Sequence, residues 1–181
     1  MKKISKKSLI ISVLACLLPI VISIMVYNKL PENIPSHFGA NCEPDRYASK
    51  NFILFVIPAI MTIVQMICAI CMVCADKKYK QIPRIFKVLQ WLVPAITIVI
   101  YAITVLYALG IELHIGKIIL FVLGILFCLL GNYFPKMSYE SSKQFVHPKP
   151  KNEQSFRKMV NTAGYLFLGM GAVLLVLMFI V

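Results

Sequence analysis

The sequence predicts an all-α, polytopic transmembrane protein of about five spans, with the N-terminus inside and the C-terminus outside. Composition is the first observation behind this. Of 181 residues, 60% are hydrophobic and only 14% charged, against roughly 25% charge in soluble domains. The second is that the apolar residues gather into five runs, each near the roughly 20 residues that cross a bilayer core. The third is that lysine and arginine alternate between the connections. One integral membrane domain, residues 1–181, is the expected count.

Residues 1–7 are a basic head with Lys2, Lys3, Lys6 and Lys7, and residues 9–27 follow without a charge. As a helix at 1.5 Å per residue that run reaches roughly 28 Å, the thickness of the hydrocarbon core. A basic head before an apolar run is also the plan of a secretory signal. Here the run continues to Tyr27 and offers no small-residue cleavage site. Val13-Leu14-Ala15-Cys16 has the outline of a lipoprotein cleavage box, but a cut there strands an apolar segment at 17–27. The stretch therefore reads as a span.

Residues 28–51 form a polar outer loop. Pro31, Pro35 and Pro44 rule out a continuous helix, because each lacks an amide donor and restricts the residue before it. With His37, Asp45, Arg46 and Tyr47 alongside them, the loop is shaped and not slack. The second span covers 52–75 and carries Pro58, Thr62 and Gln65. An inner loop at 76–87 leads to the third span, 88–109, entered by Gln90 and Trp91 and expected to bend at Pro94. Prolines are tolerated in lipid where neighbouring groups satisfy the carbonyl they free.

The fourth span covers 118–134, and after an inner loop at 135–162 the fifth covers 163–181. Gly124 and Gly131 lie seven apart on one face of the fourth, while Gly164, Gly169 and Gly171 mark the fifth. Small residues let helix backbones approach closely in lipid, so helix packing is the reading of all five.

Orientation follows from the positive-inside rule. The head, the 76–87 loop and the 135–162 loop hold 15 of the 19 lysines and arginines against only Asp76, Glu140 and Glu153. The opposite segments hold Lys29, Arg46, Lys50 and Lys117 against Glu32, Glu43, Asp45 and Glu112. All of the +12 net charge thus falls on one side. Basic loops beside anionic headgroups gain about 1 kcal/mol per residue, so the lipid bilayer is the expected partner of this charge and nucleic acid is not.

Three sets of residues are candidates for chemistry. Cys68, Cys71 and Cys74 share a helix face near the inner end of the second span. Burial disfavours the thiolate that metal or redox work requires, so these cysteines, with Cys16 and Cys128, read as small packing hydrophobes. Cys42 has no outer cysteine to pair with in its own chain and is free or linked to another chain. His37, Cys42, Glu43 and Asp45 are metal ligands by type, but their spacing matches no motif, and loop-ordering hydrogen bonds are favoured. Glu112 and His114 occupy the other outer loop. No Asp, Glu, Lys, Arg or His lies inside a span, where Gln65 and Gln90 are the most polar side chains. No metalloprotease, nucleophile-elbow or Walker motif occurs. No catalytic group, metal or cofactor is expected, and the chain reads as a non-enzyme.

Two stretches resemble a known family. Leu30-Pro31, Ile34-Pro35, His37-Phe38, then Pro44-Asp45, Tyr47 and Ser49-Lys50 resemble the outer loop of bacterial SdpI-type membrane proteins. That loop belongs to a small membrane domain of otherwise unknown function. Gly131-Asn132-Tyr133-Phe134-Pro135-Lys136 is similar to the GNYxPK that ends the fourth helix in that family.

The resemblance implies a multi-pass protein of the bacterial cytoplasmic membrane that gives immunity to, or senses, a secreted membrane-active peptide toxin. Pro35, His37, Asp45, Tyr47 and Lys50 would then meet the toxin. Asn132, Tyr133, Pro135 and Lys136 would mark the inner face, where some relatives hold a cytoplasmic regulator. The chain departs from the family at Cys42, Arg46 and Ala48, where glycines are usual, and after Lys136, where MSYESSKQFVHPKPKNEQSFRKMVN replaces the family's motifs. Two other readings remain: a non-catalytic accessory subunit, for instance of a peptide exporter, and a small carrier.

Overall fold

The computed structural model of the chain describes residues 5–39, 41–78, 83, 85–143, 145–146 and 149–180. Lys2, Lys3, Lys80 and Arg84 of the charge argument, and Val181 at the expected end of the fifth span, lie outside these residues. In chain order the elements are α1 (Lys6–Val26), strands β1 (Asn33–Phe38) and β2 (Pro44–Ser49), α2 (Ile57–Lys78), α3 (Ile85–Leu89), α4 (Leu92–Ala108), α5 (Ile115–Tyr133), the single-turn α6 (Tyr139–Ser142) and α7 (Glu153–Ile180).

Five helical stretches among the described residues are long and apolar enough to cross a membrane: Lys6–Lys29, Phe52–Lys78, Ile85–Ala108, Ile115–Lys136 and Glu153–Ile180. The expected fold class holds: the chain is an all-α multi-pass membrane protein. Its described strands form one two-stranded sheet. The chain divides into two compact units, residues 2–74 with 89–113, and residues 75–88 with 114–181.

In the first unit, α1 starts at Ser5, whose hydroxyl accepts the Ser8 amide at 3.4 Å as an N-cap. The third span, expected to bend at Pro94, is interrupted one turn earlier, at Gln90-Trp91, and Pro94, in the first turn of α4, has no amide to offer. The carbonyl left without a helical donor is that of Gln90, four residues back. Gln65 Nε2 donates to it at 3.0 Å and to Ser12 Oγ at 2.8 Å, and Gln90 Nε2 donates to Ser8 Oγ at 2.6 Å.

Pro58 is handled the same way. It enters after a single π-helical turn, Phe52–Val56, and frees the carbonyl of Leu54. Ser23 Oγ lies 3.0 Å from that oxygen, 2.8 Å from its own helix's Pro19 carbonyl and 2.8 Å from Tyr101 Oη. Serine has one proton to give, and the two carbonyls share it, so the Tyr101 hydroxyl donates to Ser23. The order of these pairs fixes directions: Ser8–Gln90 and Ser23–Tyr101 advance together, so α1 and α4 are parallel, while Ser12–Gln65 and Ser23–Leu54 make α2 antiparallel to α1. Above this network Leu30, Ile34, Ile53, Leu54, Tyr101 and Val105 form the unit's apolar core.

In the second unit α5 and α7 run antiparallel with backbones nearly touching. A Cβ on Gly131 would lie 2.7 Å from the Leu168 nitrogen and 2.8 Å from the Gly164 oxygen. One on Gly171 would lie 2.6 Å from Cys128 Sγ, and one on Gly124 2.7 Å from the Leu175 side chain. Gly164 makes room for the ring of Pro135, 2.7 Å from such a Cβ. Gly169 has nothing within 4 Å and takes no part. Phe167 stacks on Phe127 at 5.2 Å and leans on Phe134 at 5.1 Å.

Helix α7 begins at Glu153, well before the expected span start at 163. Asn152 Oδ1 accepts the Ser155 amide at 2.8 Å, and Glu153 sits in the first turn, where the helix dipole favours an acid. Phe156 and Val160 are buried, with Tyr139 of α6 against Phe156 at 5.5 Å. Hydropathy alone misses these turns because their outer face is polar.

Two substitutions test this packing. Gly131→Ala is expected to lower unfolding stability by about 1–3 kcal/mol through overpacking, and Gly169→Ala to leave it unchanged, as read from thermal unfolding in detergent. Gln65→Leu strands the Gln90 carbonyl in an apolar interior and is expected to cost about 1–3 kcal/mol by the same measurement.

Candidate functional site

The prolines that forbid a helix at residues 28–51 instead specify strands. Ile34 precedes Pro35 and Glu43 precedes Pro44, and a residue before proline is driven to the extended region. In a two-stranded sheet each strand is an edge, so the missing amides of Pro35 and Pro44 cost little. The strands pair antiparallel, with Asn33 opposite Ser49, Ile34 opposite Ala48, Pro35 opposite Tyr47, His37 opposite Arg46 and Phe38 opposite Pro44. The register slips on both sides of His37, and such irregularities re-aim side chains. The loop expected at 28–51 is therefore a β-hairpin.

The hairpin is held at both ends. At its neck Lys50 Nζ donates to Glu32 Oε1 at 2.8 Å and lies 4.4 Å above the Tyr27 ring, while the Lys50 amide donates to the Glu32 carbonyl at 2.8 Å. The hydrogen bond to Glu32 holds the Lys50 ammonium pKa above the usual lysine value. Tyr27 Oη donates to Asn51 Oδ1 at 2.8 Å. Near the tip Phe38 meets Tyr107 of α4 edge-on at 5.4 Å, and between them Ile34 is fully buried in the core.

The turn closes with the Gly39 amide on the Glu43 carbonyl at 2.8 Å and the Cys42 amide on the Gly39 carbonyl at 2.9 Å. Cys42 takes φ +62°, in the left-handed region that favours glycine. This is one of the positions where the resembling family has glycine.

Of the five residues expected to meet a ligand, three form an exposed surface and two do not. His37 Nδ1 and Asp45 Oδ1 are 2.6 Å apart, with about half of each side chain exposed. The contact occupies Nδ1 and leaves Nε2 as the ring's other polar atom. Tyr47 is 59% exposed. Pro35 and Lys50 are buried, and Lys50 is committed to Glu32. Among the described residues no group of three or more His, Cys, Asp or Glu is arranged to hold a metal. Cys42 is a free thiol, and His114 begins α5 in the other unit.

The residues expected at the inner face, Asn132, Tyr133, Pro135 and Lys136, lie at the end of α5 and just past it. Lys136 Nζ donates to Asn132 Oδ1 at 2.7 Å and lies 5.8 Å from the centre of the Tyr133 ring, and Pro135 fills the space left by Gly164. Nearby, an ion pair with Glu140 at 2.9 Å holds the Lys143 ammonium above its ordinary range. Packing holds for buried Cys16 and for Cys128 against Gly171. It does not hold for Cys71 and Cys74, which are exposed beside half-buried Cys68.

A cavity of about 210 Å³ lies under β1, walled by Pro35, by Pro58 and Met61 of α2, and by Thr97, Tyr101 and Thr104 of α4. The polar stripe Thr97, Tyr101, Thr104, at helical spacing in an apolar span, is the signal that marks it.

The family comparison falls on this region. The model of a domain of unknown function (DUF1648) matches residues 14–62, which run from α1 through the hairpin into α2. An uncharacterized protein of Archaeoglobus fulgidus is 45% identical over 40 residues, 22% of this chain and 21% of that protein, so the matched stretch spans about a fifth of its length. No solved structure matches the chain. His37, Asp45 and Tyr47 lie within the DUF1648 match, and Asn132, Tyr133, Pro135 and Lys136 lie outside it.

Relieving the strained turn tests the hairpin geometry. Cys42→Gly removes a left-handed penalty of about 1–2 kcal/mol and adds about 0.5–1 kcal/mol of chain entropy cost. Exchange of the Gly39 amide is expected to slow by a few-fold in hydrogen–deuterium exchange.

Proposed function

We propose that this membrane protein is of the SdpI type and protects against, or senses, a membrane-active peptide toxin, with the β-hairpin as its recognition surface. The observation that carries the reading is the hairpin itself. A polar pair, His37–Asp45, and the exposed ring of Tyr47 stand on a strand pair anchored at the neck by Lys50 and Glu32 and at the tip by Phe38. A rigid support spares the ordering cost that a slack loop incurs on binding.

The charge distribution supports an outward-facing hairpin in the bacterial cytoplasmic membrane. Residues 28–51 carry equal numbers of positive and negative residues, so recognition there rests on shape and on the pair's hydrogen-bonding capacity. The total charge of the loop contributes nothing to capture of a cationic peptide. The protein acts in this reading as a binding protein and not an enzyme. The α5 terminus at Asn132–Lys136 faces the cytoplasm, where a regulator could dock.

Expression in a peptide-sensitive bacterium tests the proposal, with peptides drawn from products encoded beside the gene. The wild-type chain is expected to raise the inhibitory peptide concentration at least tenfold. His37→Ala combined with Asp45→Ala should remove most of that protection at unchanged membrane abundance. Equal protection by the double variant would sink the assignment of the hairpin.

A further inference from the structure

We propose that the cavity under the hairpin is a binding site for one acyl chain of a membrane phospholipid. It is walled on one side by Pro58 and Met61 of α2, on the other by Thr97, Tyr101 and Thr104 of α4, and roofed by Pro35 and Ser36 of β1. Both helices belong to stretches long and apolar enough to cross a membrane. The inference does not depend on the toxin reading.

Three features select this occupant. The first is size. Sites that enclose a whole drug-sized ligand run about 300–1,000 Å³, and about 210 Å³ admits a segment of one chain, its remainder lying outside, and not a whole amphiphile. The α4 wall from Thr97 to Thr104 extends about 10 Å along the helix axis, which suits a chain lying lengthwise.

The second is chemistry. Thr97 Oγ1 already donates to its own helix's Val93 carbonyl at 2.7 Å, and Tyr101 Oη is engaged with Ser23 at 2.8 Å. Pro35 and Pro58 have no amide to offer. A ligand entering the deep part of the cavity meets a wall whose polar groups are engaged, so it need supply no hydrogen bonds there. Thr104 and Ser36 lie at the hairpin end, where the ester of a phospholipid would sit.

The third is continuity with the lipid-facing surface. Phe52 and Ile100, which also line the cavity, are 43% and 56% exposed, and α2 carries further exposed apolar side chains at Ile60, Ile63 and Ile67. The opening thus lies beside exposed apolar side chains on two helices of membrane-crossing length. A second groove of about 190 Å³, between α1 and α4 around Leu18, Ile98 and Leu106, has no hairpin roof. It serves as an internal control.

The full-length chain purified in mild detergent from bacterial membranes and examined by native mass spectrometry decides the question. One phospholipid is expected to stay bound per chain after delipidating washes. Met61→Phe and, separately, Ile57→Phe, at another residue lining the cavity, fill it and should each reduce the retained fraction at least fivefold. Ile98→Phe in the control groove should leave it unchanged. A wild-type chain that retains no lipid, retention lost only in Ile98→Phe, or retention unaltered in whichever filling variant folds would each overturn the site. So would an adduct with the mass of a peptide instead of a phospholipid.

Discussion

A carbonyl that loses its helical donor inside hydrocarbon must find another, because no water is at hand and an unpaired buried group costs free energy. Pro58 and Pro94 each create one, on Leu54 and Gln90. In both cases the donor comes from a different helix: Ser23 of α1 reaches Leu54, and Gln65 of α2 reaches Gln90. The breaks that the prolines introduce are thereby turned into cross-links. Three helices that present mainly aliphatic surface acquire a defined mutual register, since Gln65 also holds Ser12 and Gln90 holds Ser8.

The hairpin depends on that register. Ile34 reaches the core formed by Leu54, Tyr101 and Val105, and Tyr101 is held by the same serine that answers Pro58. Phe38 then lands on Tyr107 two turns further along α4. The Lys50–Glu32 bridge closes the neck. His37, Asp45 and Tyr47 stay exposed after these attachments, together with Asn33, Ser36, Arg46 and Ser49. A space remains beneath the strand that carries Pro35, between α2 and α4.

The second unit solves the packing problem differently. No polar cross-link of that kind joins α5 and α7 among the described residues. Glycines placed seven apart on both helices let the backbones close to distances that exclude any Cβ. The gain is dispersion between two close-packed surfaces, which in lipid replaces the missing hydrophobic drive. The Asn132–Lys136 segment belongs to this arrangement as a terminus, with Pro135 seated over Gly164.

The five spans, their order and the zero-charge segment between the first two were legible in the residues themselves. Hydropathy, charge and proline content are local properties that a one-dimensional reading captures. The glycine pairs were half legible: their spacing marked a face, but only the antiparallel approach shows that Gly169 faces away. The hairpin was hidden because its strands lack clean alternation, and the prolines excluded a helix without naming the alternative. The break at Gln90 in place of a bend at Pro94, the partition of the five candidate residues into three exposed and two buried, and the cavity over Tyr101 belong to the tertiary structure. Each depends on which side chain from a distant helix reaches a given backbone group or surface, and such a pairing has no signature in the local sequence.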